Sequence, residues 1–381
     1  MNNPVLIEIK KQEFLMTSKE RVIEAINLRE PDTVPVFITI TPQVAEELSK
    51  HLGIKEYTIA DSPLSQNRIS FHELMIKLGN DIVGIGACSP NNEPTREIDK
   101  GIFRNEWKVK YRKIGYYMEM IEHPLSHAET AADIENFHFP EPKADGRFTL
   151  AKQVAEKYGS KYAICGDLEC TVFETSWYLT GMEKFLMDLF MEKEYVFTLM
   201  DRVMEYSIGA GLELVRLGSD IIWVGDDMGT QHGMLISPEM WRKHLKGRLK
   251  NVIAELKKEN PDIKIAYHSC GSYFPIIPEL IEIGVDILNA LQPRAKDMEL
   301  ARLKGMFGNR ASFFGGMDIQ DIIPFGTMEE IEKEVKRVIH TAAKGGGYIL
   351  AGAHNIQPDT SVEKLMKIFE VAKSYGKYPI A

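Results

Sequence analysis

The sequence predicts an α/β protein folded as a (β/α)8 TIM barrel, and three observations carry the prediction. Short β-branched runs alternate with longer amphipathic stretches from about residue 34 onward, the signature of βαβ units feeding a parallel sheet. Eight such runs occur, the number of strands that closes a barrel. The chain has 381 residues, 44% of them hydrophobic and 27% charged, which suits one decorated barrel with a sizeable core. Residues 1–381 are therefore expected to form a single domain.

Residues 1–33 read as a helical lead-in. The eight runs then cover residues 34–40, 81–86, 162–168, 220–224, 263–267, 286–291, 312–315 and 347–350. Between the second and third, residues 88–160 depart from the rhythm. There IFRNEWKVKYRKIGYYMEMI alternates with a period of two, so it reads as an antiparallel β-hairpin inserted after the second strand, and HFPEPKADGRF reads as a loop. Trp107, Tyr111, Tyr116 and Tyr117 are placed in ordinary hairpin packing, with capping of the barrel mouth as the other reading. Farther on, SPEMWRKHLKGRLKNVIAELKKE repeats Leu245, Leu249, Val252, Ile253 and Leu256 at helical spacing and predicts one outer helix. Ser237, Pro238 and Glu239 give it a capping hydroxyl, a first-turn proline and an early carboxylate, and Thr327 and Thr360 begin similar helices. Gly345, Gly346 and Gly347 precede the last run and mark a tight helix-to-strand turn rather than a phosphate loop.

A net charge of -9 argues against nucleic acid or an anionic membrane surface as partner. No stretch approaches the roughly 18 unbroken apolar residues of a spanning helix, and the opening MNNPVLIEIKKQEF lacks a signal-type apolar core, so the expected location is cytoplasmic. Four cysteines in a chain of this size do not make a disulfide framework. Cys88, in a loop, and Cys165, inside a strand, receive no chemical role. A homodimer is compatible with a barrel, although no residue specifies one. Walker, dinucleotide and nucleophile-elbow patterns are absent from the sequence.

Barrel chemistry sits at the C-terminal ends of the strands, and unusual residues collect there. The third run is followed by Glu169 and Cys170, the fourth by Asp226 and Asp227, the fifth by His268 and Cys270, and the eighth by His354. His268 and Cys270 flank one residue, so on an extended strand end their side chains share a side and can share a cation. A thiolate with an imidazole favours zinc. His354 could converge on the same cavity, and Glu169 could complete the set. Asp226 and Asp227 are adjacent, so one faces the cavity and the other the helix layer or a loop. Glu174 is either an acid or base at the site or a first-turn helix carboxylate. The metal candidates are thus His268, Cys270, His354 and Glu169; the catalytic candidates are Asp226, Asp227, Glu174 and His354; Gln231 and Trp177 are candidates for substrate binding.

Several segments then resemble one known family. SKERVIEAINLREPDTVPVF, DDMGTQHGMLISPEMW, the HSCG box, GGMDIQ and GGGYILAGAHNIQPDTSVEKL are together similar to the uroporphyrinogen decarboxylase superfamily from about residue 17 onward. Its decarboxylases carry an Arg-Gln-Ala-Gly-Arg loop after the first strand, where this chain reads ITITPQVAEEL without an arginine. The His-x-Cys box and GDDMGTQ instead resemble the corrinoid-dependent methyltransferase branch, in which zinc is held by that pair and a cysteine near the last strand. His354 stands at that last place here.

The resemblance implies a zinc-dependent methyltransferase that moves a methyl group between a small methoxy, methylamine or thiol compound and a cobalt corrinoid (cobalamin type). The corrinoid would ride on a separate protein, since the chain has no Asp-x-His-x-x-Gly segment. Two rivals stand beside it: a cofactor-independent decarboxylase using His354 and Asp226, and a barrel that binds a small ligand or corrinoid without turnover.

Overall fold

A computed structural model describes residues 15–62, 65–115 and 117–380. Strand β1 (Ile82–Gly86) is followed by four short strands, β2 (Arg96–Asp99), β3 (Ile102–Arg104), β4 (Lys110–Ile114) and β5 (Tyr117–Glu122). Then come β6 (Ala163–Glu169), β7 (Ile221–Gly225), β8 (Lys264–His268), β9 (Ile287–Asn289), β10 (Ser312–Met317) and β11 (Tyr348–Gly352). β1 and β6 to β11 pair in chain order, all parallel, into one curled sheet with helices between successive strands.

The first expected strand is the exception. Residues 34–40 make only isolated parallel bridges, Val36 with Leu350 and Ile40 with Ile356. On its other side, the Asp81 N–H donates to the Val36 carbonyl at 2.8 Å. There the Asn80 amide also grips both the N–H and the carbonyl of Ile38, at 3.0 and 2.9 Å. The irregularity has a local cause on that side: the Asp81 carboxylate takes the Val36 N–H and the Asn80 amide takes Ile38, so side chains occupy groups a regular ladder would use. The expectation of eight regular strands is corrected to seven, with an irregular segment between the sheet edges.

Alternate strand residues fill the inside of the curl. Cys165, Trp223, Phe314 and Phe37 pack there in one buried cluster with Val22 and Ile26 of the helix Ser18–Ile26. The lead-in helix thus plugs the end opposite the strand C-termini, and residues 1–14 lie outside the described chain. Outer helices bury their apolar stripes in a second, larger cluster, each fully buried aliphatic side chain contributing about 1.5–3 kcal/mol.

Local expectations fare unevenly. The Ser237 hydroxyl accepts from Met240 N–H, and Thr327 forms a capping box with Glu330. The stretch expected as one helix is two, Pro238–His244 and Lys246–Glu259, broken where Leu245 turns into the core. Arg248 donates to the His244 carbonyl at 2.5 Å and so satisfies the broken end. Ser361, not Thr360, caps Val362–Tyr375; the Thr360 side chain is buried beside Asp359. The insertion is more than a hairpin, since β2 to β5 form a four-stranded antiparallel sheet. Tyr111 is buried in ordinary packing with its hydroxyl against Asn105. Tyr116 and the side chain of Tyr117 lie outside the described residues. Among the described residues, no helix is long and apolar enough to cross a membrane.

Candidate functional site

Strand β8 ends on His268, Cys270 follows one residue later, and His354 follows β11. One ligand atom from each of these three lies within 4.8 Å of the others. The His268 and His354 rings stand edge to face, with centroids 6.2 Å apart. His268 and Asn289 are register partners on β8 and β9, and the His268 Nδ1 sits 2.5 Å from the Asn289 Oδ1. The Asn289 amide donates through Nδ2 to the Phe314 carbonyl at 2.9 Å, which fixes its oxygen toward the ring. Nδ1 therefore carries the proton, and the lone pair of Nε2 faces the site. Around Nε2, the Cys270 Sγ, the Glu169 Oε1 and the Asp227 Oδ1 each stand 3.7 Å away.

The backbone sets the thiol in place. Cys270 N–H donates to Asp227 Oδ1 at 2.6 Å, and Gly271 N–H donates to Gln292 Oε1 at 2.9 Å. Gly271 has φ +68° and lies against Gly229 so closely that a Cβ would come 2.4 Å from the Gly229 carbonyl carbon. The loops after β7 and β8 can meet only because both residues are glycine.

The two aspartates diverge as the alternation requires. Asp226 turns to the start of the helix Phe173–Thr180 and accepts from the Val172 and Glu174 N–H groups, at 3.2 and 2.9 Å. Burial pushes its carboxyl up to about 7 despite those donors. Asp227 faces His268 and Cys270. Glu174, in the first turn of that helix, accepts from Asp227 N–H at 2.8 Å and from the Tyr178 hydroxyl at 2.8 Å. Burial, then the charges of Asp227 and Asp226, hold the Glu174 carboxyl well above the usual range. Glu169 also groups with Cys170 and Glu174, a second set whose ligand atoms lie within 4.8 Å. Its other oxygen pairs with Arg68 at 2.6 Å, and Arg68 also pairs with Asp167 at 2.6 Å.

Burial lowers His354 to about 4, with His268 adding to the effect, so its imidazole is neutral near pH 7. Burial, then the charge of Asp227, raises the Cys270 thiol far above its ordinary value. Two imidazoles and a thiol whose anion needs a positive partner form a donor set that fits zinc.

Gln231 is held 3.4 Å from Gln292 at the rim. Trp177 packs against Tyr178, ring centroids 4.2 Å apart, and lines neither of the two cavities that adjoin the site. The first cavity, about 20 Å³, is lined by Phe37, Trp223, Phe314, His268, His354 and Arg68 among others. The second, about 100 Å³, lies between the inserted sheet and β6. Sequence reasoning missed Asn289, Arg68 and Tyr178. None of the three stood out in the sequence; Asn289 falls inside the run 286–291.

A family model described as uroporphyrinogen decarboxylase (URO-D) matches residues 112–375. Among solved structures, a methyltransferase from Methanosarcina mazei superposes with a TM-score of 0.66 at 20% identity, covering 94% of this chain and 99% of that one. At that identity the likeness speaks for the fold alone. A β-L-arabinopyranosidase from Geobacillus stearothermophilus reaches a TM-score of only 0.43 at 11% identity, over 91% of this chain and 78% of that one. A search of curated proteins found no match.

Proposed function

The chain belongs to the uroporphyrinogen decarboxylase family, and from that premise we propose that it is a zinc-dependent methyltransferase. Its reaction moves a methyl group between a small methylated compound and a corrinoid carried by a partner protein. The observation that carries this reading is the convergence of His268, Cys270 and His354 from two separate strand ends onto one point.

Zinc held by those three residues would supply a Lewis acid for the heteroatom that releases or receives the methyl group. The protein's own groups prepare the site. Asn289 accepts from Nδ1 of His268 and so turns the ring's Nε2 toward the site. Asp227 holds the backbone of Cys270 and so aims the thiol. Glu174 anchors Asp227 through its N–H, and its raised carboxyl suits it to give or accept the proton that accompanies a change at the heteroatom. Asp226 serves by capping the helix that carries Glu174. Phe37, Trp223 and Phe314 floor the cavity and exclude water from it.

The decarboxylase reading finds less support. A substrate carboxylate needs a cationic partner, and Arg68, the arginine lining this cavity, is engaged by Asp167 and Glu169. Elemental analysis of protein purified without added metal tests the proposal. About one zinc per chain is expected, lost in both His268→Ala and Cys270→Ala. A parent protein that takes up no zinc after reconstitution would sink it and leave decarboxylation as the stronger reading.

A further inference from the structure

Asn289 fixes the ring of His268, and no protein group does the same for His354. One nitrogen of His354 belongs to the triad with His268 and Cys270, and among the described residues its ring makes no hydrogen bond. A ligand histidine ordinarily passes its second N–H to a carboxylate, a carbonyl or a water, and that partner decides the tautomer. A second group beside the triad is equally unsatisfied. Trp223 on β7 is 6% exposed, its ring centroid lies 5.6 Å from that of His268, and its Nε1–H is buried with no hydrogen-bond partner. An indole N–H can only donate, so it needs an acceptor.

Trp223 and His354 both line the smaller cavity, about 20 Å³. That is room for one water molecule, which needs roughly 10–15 Å³. We propose that this cavity is the binding site of a single ordered water that accepts from Trp223 Nε1–H and from the second nitrogen of His354. The water sets the tautomer and direction of the His354 ring. Trp223 is thus a positioning residue that acts on His354 through the water, as Asn289 acts directly on His268.

The remaining walls suit water better than a charged occupant. Phe37, Phe314, Ala290 and Ala351 are apolar and keep bulk solvent out. Thr39 gives its hydroxyl proton to Asn355 Oδ1 at 2.6 Å, which leaves lone pairs on Thr39 for a proton of the water. With Trp223 and His354 that makes three partners, the usual number for a buried water. An anion would need an unspent cation, and Arg68, the cation on this wall, is shared by Asp167 and Glu169 at 2.6 Å each. A cationic group would set its own protons against that of Trp223. The tautomer follows from the protein's own groups, whereas its use in holding a metal rests on the zinc reading above.

Nitrogen-15 spectra of the histidine side chains in the full chain without metal, at about pH 7.5 so that the imidazoles are neutral, test this, with His354→Gln to assign the His354 signals. His354 is expected in one neutral tautomer, and the Trp223 indole proton is expected to show a direct cross-peak to bound water. Trp223→Phe keeps a ring in the floor and removes the donor. It should let His354 populate both tautomers while His268, held by Asn289, keeps its own. With zinc, the same variant should lose about 10- to 100-fold in affinity against a chromophoric chelator; a parent chain that takes up no zinc would remove the metal reading and leave the tautomer result standing. If Trp223→Phe does not fold, the parent spectra alone decide. A parent His354 that averages between tautomers, a Trp223 proton without a water cross-peak, or a folded Trp223→Phe in which His354 keeps its single tautomer would overturn the proposal.

Discussion

A single amide decides how His268 can act. Because Asn289 accepts at Nδ1, the ring offers Nε2, and a ligand nitrogen held by such a partner keeps both its tautomer and its direction. Asn289→Leu should therefore weaken zinc binding about 10- to 100-fold in competition with a chromophoric chelator; unchanged affinity would show that the tautomer is set otherwise. His72 is a second residue whose neighbours fix its chemistry. Burial holds it at about 4 against 6.5 in the unfolded chain, and its Nε2 has no hydrogen-bond partner. The unfolded chain takes up that proton first, so stability falls as pH drops from about 6.5 toward 4 and is unaffected above that window. At pH 5 the loss is about 2 kcal/mol. His72→Phe should flatten that part of the profile, read as the difference in urea midpoint between pH 7.5 and 5; an unchanged difference would show that other groups produce it. The candidate ligands were legible at this scale: His268, Cys270 and His354 each stand at a strand exit. Asn289 was not, because its partner is 21 positions away in the chain and meets it only through strand register.

Between elements, loops and caps set the geometry. Asp226 reaches from the end of β7 to the exposed N–H groups of the helix Phe173–Thr180, a capping role supplied from another element. Asp226→Ala should cost about 2 kcal/mol in chemical denaturation, and Asp226→Asn, which keeps an acceptor, appreciably less. Equal losses would argue for a role in charge instead. The Gly271 and Gly229 contact joins the loops that carry Cys270 and Asp227. A methyl at Gly271 meets backbone and also strains a residue at φ +68°, so Gly271→Ala should lower zinc occupancy in elemental analysis even where the chain remains folded. Adjacency of Asp226 and Asp227 told that the two must diverge. Which one faced the site depended on the helix packed beside them, and no local pattern contains that helix's position.

For the whole molecule, the proposed zinc would join elements that are far apart in sequence, so its binding energy should appear as stability of the entire fold. Free zinc at a thousandfold above its dissociation constant should add about 4 kcal/mol to unfolding, and a chelator should remove it. A chelator without effect on thermal unfolding would place any metal elsewhere than at a site joining β8 to β11. The sequence by itself determined the alternation of strands and helices, the seven strands of the sheet, the lead-in helix and the residues at the strand exits. Those follow from apolar periodicity and local capping, which neighbouring residues decide. Only the tertiary structure decided that residues 34–40 pair through side chains of Asn80 and Asp81, that Arg68 is spent on Asp167 and Glu169, and that Asn289 orients His268. These depend on which distant groups burial forces together: an interior hydrogen bond or charge must find its partner wherever the fold places one, and chain distance carries no record of that choice.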